Sequence, residues 1–346
     1  MFKKFIILFT FFLSGVLLTG CNIKTGMNKE KRTFTNPIVP APSADPWVIR
    51  VGGYYWYTYS LGNAISIKKA DRLESIGDAS DNDIWVAPIG ENYSKDIWAP
   101  ELHYINGKWY VYFAADDGNN DNHRMYVLEG GSDPNNPLNG SYKFKGKIFD
   151  KTDKWAIDGT VLQKNDGTLY FIWSGWEGNV NGQQNLYIAR MSNPWTIDGE
   201  RVLISTPTYD WEKHGMPINE APEILKKNNN IYIIYSASGS WTYDYCLGML
   251  TNKDGDVLNP SSWIKTPTPV FKGSLKNKSF GVGHPSFVKS PDGKENWIVY
   301  HAMTGSEGWD ARSVRAQKFY WSKDGKPIFG EPVAVNMPIA VPSGEN

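Results

Sequence analysis

The amino-acid sequence predicts an all-β protein built as a five-bladed β-propeller, and three observations predict it. Five aromatic, β-branched segments recur along the chain. Each is preceded by a turn signal of the kind that closes β-hairpins, and each turn is preceded by another short strand. The recurrence has a period that leaves room in every unit for two further strands, which is the four-stranded blade of a propeller.

The five segments are 54–60, 109–115, 169–175, 231–237 and 297–302, and their starts lie 55, 60, 62 and 66 residues apart. The turn signals ahead of them are Gly52-Gly53, Asn106-Gly107, Asp166-Gly167, Asn229-Asn230 and Asp292-Gly293. The strands ahead of those turns open at Asp45-Pro46, Ala99-Pro100, Asp158-Gly159, Glu220-Ala221-Pro222 and His284-Pro285. No amphipathic helix interrupts the series, and a two-domain β-sandwich, the competing architecture, needs no such period.

The chain starts differently. Lys3 and Lys4, an apolar run over 5–18 and then Leu18-Thr19-Gly20-Cys21 have the layout of a secretory signal. The run falls short of the ~20 residues that cross a bilayer. A cysteine directly after small residues resembles the lipobox of bacterial lipoproteins. The expected organisation is a lipoprotein signal peptide over 1–20, a polar tether over 21–35 beginning at a lipidated Cys21, and a single catalytic propeller domain over 36–346. That places the protein outside the cytoplasm, anchored by lipid to the bacterial cell membrane and touching it only through the anchor.

Composition removes several other classes. Lys and Arg number 36 against 36 Asp and Glu, so the chain carries no electrostatic footprint for nucleic acid. Two cysteines build neither a disulfide framework nor a cysteine-rich zinc site, and Cys246 is expected to be a buried, inert thiol. The Gly-x-Ser-x-Gly elbow, His-Glu-x-x-His and the phosphate-binding Gly-Lys-Ser/Thr loop are all missing. Gly281-Val282-Gly283 lacks the third glycine and the helix of a dinucleotide site.

The first strand of each blade lines the central channel, so the five strand heads converge on one mouth. Three of them carry acids, Asp45, Asp158 and Glu220. Each alone reads as a turn former or a solvated loop residue. Recurrence in register at three heads favours chemistry. Acids gathered in one pocket repel, so mixed protonation states result, and glycoside hydrolysis needs one protonated and one ionised carboxyl group.

In order along the chain, Ala44-Asp45-Pro46-Trp47, Trp98-Ala99-Pro100-Glu101, Ile157-Asp158-Gly159, Asn219-Glu220-Ala221-Pro222-Glu223, Gly283-His284-Pro285-Ser286-Phe287 and 321–327 resemble glycoside hydrolase family 43. The family's enzymes are five-bladed propellers that act on arabinose- and xylose-containing polysaccharides. The resemblance implies inversion, with Asp45 as general base, Glu220 as general acid and Asp158 orienting that acid and raising its pKa. It implies sugar stacking by Trp98 and Trp176, a substrate contact from Arg312 with Arg315 as competitor, and a pocket role for His284. No cofactor is required, although a calcium or other ion held by His284 in the channel is within the family pattern. Ala221 departs from the glycine more usual there.

Alternation within the first strand argues that Glu101 and Glu223 are not the acid, and leaves them as a substrate hydrogen bond or a structural pair. Trp47, Trp155, Trp173 and Trp211 read as core, and the oxygen-rich segment 116–122 as a solvated loop without calcium-loop spacing.

Trp211-Glu212-Lys213, Tyr235-Ser236-Ala237-Ser238 and the histidine motif resemble the arabinofuranosidase branch. The expected protein is therefore an exo-acting α-L-arabinofuranosidase on arabinan or arabino-oligosaccharides, monomeric, with a β-xylosidase or endo-arabinanase as the alternative. A glycan-binding surface lipoprotein and a propeller scaffold for protein partners are the competing non-enzymatic readings, and three intact acids speak against both.

Overall fold

Runs such as Tyr54–Thr58 (YYWYT) and Asn230–Ala237 (NIYIIYSA) pack side chains on both faces of a strand, which suits a sheet buried between two others. The computed structural model describes Met1 and residues 32–345. The signal peptide, Cys21 and most of the expected tether lie outside the described residues.

Five antiparallel sheets follow one another along the chain. Blade 1 is Trp47–Val51, Tyr54–Thr58, Ala64–Ala70 and Asp81–Val86. Blade 2 is Lys95–Ile105, Lys108–Asp116, Arg124–Glu129 and Lys143–Ile148. In blade 3, Ala156–Gln163, Leu169–Gly175 and Asn185–Asn193 are followed by two outer pieces, Thr196–Ile197 and Val202–Ser205, which both pair with the third strand. Blade 4 is Asn219–Lys227, Asn230–Ala237, Cys246–Asn252 and Trp263–Lys265. Blade 5 is Phe280–Lys289, Asn296–Met303, Ser313–Trp321 and Pro327–Ile328. The expected five-bladed propeller is thus the fold.

The hairpin turns lie where the sequence puts them, with one shift. Asn106 and Gly107 take φ of +50° and +84° between paired Ile105 and Lys108, the positive-φ geometry that Asn-Gly favours. In blade 4 the turn residues are Asn228 and Asn229, at +51° and +65°, and Asn230 already pairs with Lys227.

Each blade is joined to the next by an apolar seam. Trp56, Ile65 and Ile67 meet Trp109, Val111 and Leu128 between blades 1 and 2. Tyr112 and Val127 meet Phe171 and Trp173 between blades 2 and 3. Ile172 and Ile188 meet Ile233 and Tyr235 between blades 3 and 4, and Ile234 and Leu247 meet Ile298 and Tyr300 between blades 4 and 5. Tyr55, Tyr57, Trp297 and Val299 close the ring. Burying one such side chain contributes ~1.5–3 kcal/mol. The chain ends help to hold the ring shut: Thr33 and Phe34 pair with Ala340 and Ile339, and Ile38 donates to the Val314 carbonyl at 2.9 Å.

The strand heads share one conformation. Asp45, Ala99, Asp158, Ala221 and His284 all have φ between +45° and +53°, and each is followed by Pro or Gly. At these left-handed residues the ladder with the second strand skips, as between Trp98 and Glu101, Ile157 and Thr160, and Glu220 and Glu223. The kink re-aims the neighbouring side chains at the mouth. In blade 3 the following residue is Gly159, where a Cβ would stand 2.2 Å from the Phe171 ring.

Candidate active site

Side chains at the ends of the second strands accept or donate across to the next head. Ser60 Oγ accepts the Ala99 N–H at 2.8 Å, Ser236 Oγ accepts the His284 N–H at 2.8 Å, and His301 Nδ1 accepts the Asp45 N–H at 3.4 Å. Ser174 Oγ donates to the Asn219 carbonyl at 2.9 Å. These bonds fix the left-handed heads, whose conformation costs a non-glycine residue about 1–3 kcal/mol.

Asp45 is the most heavily partnered of the three acids. Its Oδ2 accepts from Ser60 Oγ at 2.7 Å. Its Oδ1 lies 3.2 Å from His284 Nδ1, 3.4 Å from Arg312 Nη1 and 3.5 Å from His301 Nδ1. Burial pushes this carboxyl up, but His284, Arg312 and His301 together hold it well below the usual carboxylate range. Burial also pushes both imidazoles down, His301 to about 4, so at neutral pH the full positive charge beside Asp45 is that of Arg312.

Glu220 has the opposite surroundings. It is 7 % exposed, and the Tyr245 hydroxyl donates to its Oε1 at 2.8 Å. Burial raises its pKa to about 7, with Asp45 adding to the rise, while Tyr245 and Arg312 oppose it. Asp158, 5 % exposed, accepts the Ala221 N–H at 3.2 Å through Oδ2. Burial, Glu220, Asp45 and Glu101 drive its pKa well above the ordinary value. Asp158 and Glu220 therefore titrate as a pair, both displaced upward.

Glu220 is not itself the left-handed head of blade 4. Ala221 is, at φ +46°, and Glu220 stands one residue earlier, in the position that Trp98 occupies in blade 2. The expectation of three acids in one register is corrected here: Asp45 and Asp158 are equivalent, and Glu220 reaches the mouth from the preceding position. The glycine usual at 221 adopts this φ without a Cβ penalty, and Ala221 carries that strain with its N–H fixed on Asp158.

Trp98 is half-buried, with one face stacked on His123 at 4.0 Å. Trp176 is 2 % exposed and stacks on Trp155 at 4.7 Å and 8°. A ring so enclosed offers no open face to a sugar, and this corrects the stacking expected of Trp176. Arg312, rather than Arg315, meets Asp45; Arg315 is buried and bonded to Ser279 and Thr304.

Glu101 and Glu223 form a structural pair. Glu223 is hydrogen-bonded to Glu101, whose Oε2 lies 2.8 Å from His103 Nε2, and burial with the Glu101 charge pushes the Glu223 carboxyl far up. The segment 116–122 is solvated except for Asp116, which is fully buried with Oδ2 2.9 Å from His123 Nδ1. Cys246 is a free, buried thiol pushed by burial to about 12.

Among the described residues no group of three or more His, Cys, Asp or Glu side chains is arranged to hold a metal. Calcium takes six to eight oxygen ligands; the carboxylate oxygen beside His284 Nδ1 is Asp45 Oδ1, at 3.2 Å.

The sequence reading missed Ser60, Tyr245 and His301. A signal for two of them was present: an aromatic followed by Ser or His ends the second strand at Tyr59-Ser60, Trp173-Ser174, Tyr235-Ser236 and Tyr300-His301, and only blade 2 lacks it. Tyr245 comes from a loop between strands and carries no repeat signal.

Fold and mouth together define a five-bladed propeller whose strand heads bring three buried carboxyl groups together, Asp45 held below the ordinary range and Asp158 and Glu220 pushed above it. Residues 34–327 match the profile of glycosyl hydrolases family 43, and the chain belongs to that family. It is similar to an extracellular exo-α-(1→5)-L-arabinofuranosidase of Streptomyces avermitilis, 39 % identical over 87 % of this chain and 64 % of the relative. A protein of the same description from Streptomyces chartreusis is 36 % identical over 79 % of this chain and 84 % of its own length. The crystal structure of an α-L-arabinofuranosidase from Lactobacillus brevis superimposes with a TM-score of 0.80 at 37 % identity, covering 88 % of this chain and 98 % of that one. The chain thus spans less than two thirds of the Streptomyces avermitilis relative. Among the described residues no helix is long and apolar enough to cross a membrane.

Proposed function

We propose that the protein is an inverting, exo-acting α-L-arabinofuranosidase that removes single L-arabinose units from α-1,5-linked arabinan or arabino-oligosaccharides. The observation that carries this reading is the opposite displacement of two buried carboxyl groups that face one another electrostatically, Asp45 downward and Glu220 up to about 7. One is ionised and one protonated at the same pH, the division of labour that glycoside hydrolysis requires.

In the reaction, Asp45 accepts a proton from a water as that water attacks the anomeric carbon. Glu220 gives its proton to the departing glycosidic oxygen. Arg312, His284 and Ser60 hold the base in place, and Asp158 fixes the backbone beside Glu220 through the Ala221 N–H. Trp98, with one face on His123, is the sugar platform. The arabinofuranosidases to which the chain is similar support arabinose as the sugar released.

The test is hydrolysis of linear α-1,5-arabino-oligosaccharides with NMR detection of the first anomer formed. Single arabinose of inverted configuration is expected; retained configuration or long internal products would remove the reading. Anchoring through Cys21 belongs to the same proposal, and a Cys21→Ala chain should leave the membrane fraction of producing cells.

A further inference from the structure

The backbone that carries Glu220 adjoins, through Asn219, a buried network that reaches Lys265 on the outer strand of the same blade. Glu212 is fully buried and accepts five hydrogen bonds. Two come from the main-chain N–H groups of Thr208 and Tyr209, at 2.7 and 2.9 Å. The others come from Tyr235 Oη at 2.9 Å, Lys265 Nζ at 2.7 Å and Asn219 Nδ2 at 2.9 Å.

Asn219, the residue before Glu220, has no polar atom left over. Its Oδ1 accepts from Ser205 Oγ at 2.6 Å and Lys265 Nζ at 3.2 Å. Its N–H donates to the Gln184 carbonyl at 3.0 Å, and its carbonyl accepts from Ser174 Oγ at 2.9 Å. On the other side of Glu220 the Ala221 N–H is held by Asp158. The backbone carrying Glu220 is thus fixed from both neighbours, and on the Asn219 side the fixing passes through a carboxylate–ammonium pair.

A buried ion pair is poor value for stability alone, because desolvation offsets most of its attraction and apolar replacements are often at least as stable. What it supplies is geometry. A proton donor displaced by about 1 Å can lose 10²-fold in rate.

We propose that Glu212 and Lys265, acting through Asn219, are positioning residues that set the reach of the Glu220 carboxyl toward the leaving oxygen. The inference rests on the reading of Glu220 as proton donor. Misplacement of that donor harms only substrates whose leaving group needs a proton.

The experiment compares Lys265→Met and Asn219→Ala with the unmodified enzyme on arabinotriose and on dinitrophenyl α-L-arabinofuranoside. Expected is a fall in kcat of about 10²-fold on arabinotriose and less than about 3-fold on the dinitrophenyl glycoside. KM should be little changed, and Lys265→Arg should recover most of the loss. Equal losses on both substrates, an effect confined to KM, or no loss in folded variants overturns the proposal. Circular-dichroism melting establishes folding, and if one variant does not fold the other carries the comparison. Glu220→Ala is measured alongside: if it lacks the leaving-group dependence, the proton-donor assignment itself falls, whereas dependence in Glu220→Ala without it in the clamp variants overturns the clamp alone.

Discussion

Asp45 sits among two imidazoles, a guanidinium and a serine hydroxyl, whereas Glu220, also withdrawn from water, has one phenol within hydrogen-bond reach and Asp158 titrating with it. Burial pushes both carboxyl groups the same way. The partners decide the outcome, since Asp45 ends well below the ordinary range and Glu220 at about 7. In the proposed mechanism the two carboxyl groups divide into base and acid because Arg312, His284 and Ser60 surround the first, whereas the second has Tyr245 as its hydrogen-bond donor, Asp158 beside it and only a weaker pull from Arg312.

The largest effect should come from removing the ionised side of this pair. Asp45→Ala should cost ~10²–10⁴ in kcat on oligosaccharides and aryl glycosides alike, because every substrate needs the water activated. Glu220→Ala should cost as much on arabino-oligosaccharides and far less on dinitrophenyl arabinofuranoside. An equal loss on both would erase the difference between the two walls.

Exchange of partners sharpens the comparison further. Arg312→Met removes the one fixed charge that lowers both groups. Both limbs of the kcat/KM profile should then move to higher pH, the acid limb by roughly one unit or more. Tyr245→Phe should act on one limb only: it removes a donor that lowers Glu220 and not Asp45, so the basic limb alone should rise, by under about one unit. A basic limb that moved down would reverse the assigned sign. In the unmodified enzyme activity should fall as pH rises through about 7, where Glu220 loses its proton, and should persist on the acid side because Asp45 stays ionised.

Blades and mouth were not equally legible in the sequence. The blades were, because strand, turn and strand repeat with aromatic and β-branched residues whose burial the periodicity encodes. The Pro or Gly after each head marked the register, and read strictly it places Ala221, not Glu220, at the head of blade 4. The one-residue offset escaped because the left-handed kink re-aims side chains in a way that strand alternation does not describe. Trp176 looked available for a sugar because its neighbour in space, Trp155, is 21 residues away in the chain and covers it only after folding. Tyr245 and the Glu212 network depend on loops and outer strands brought in by tertiary packing, for which neither period nor motif gives a signal.

The central claim, that Glu220 holds a proton where Asp45 does not, is tested most directly by carbon-13 NMR titration of glutamate carboxyl groups in the unmodified protein and in Glu220→Gln. Burial also raises Glu345 to about 7, so the variant supplies the assignment. A resonance titrating near pH 7 that disappears in Glu220→Gln is the predicted result. A pair of spectra whose near-neutral titrations are identical, with the Glu220 signal already ionised by pH 5, would contradict it.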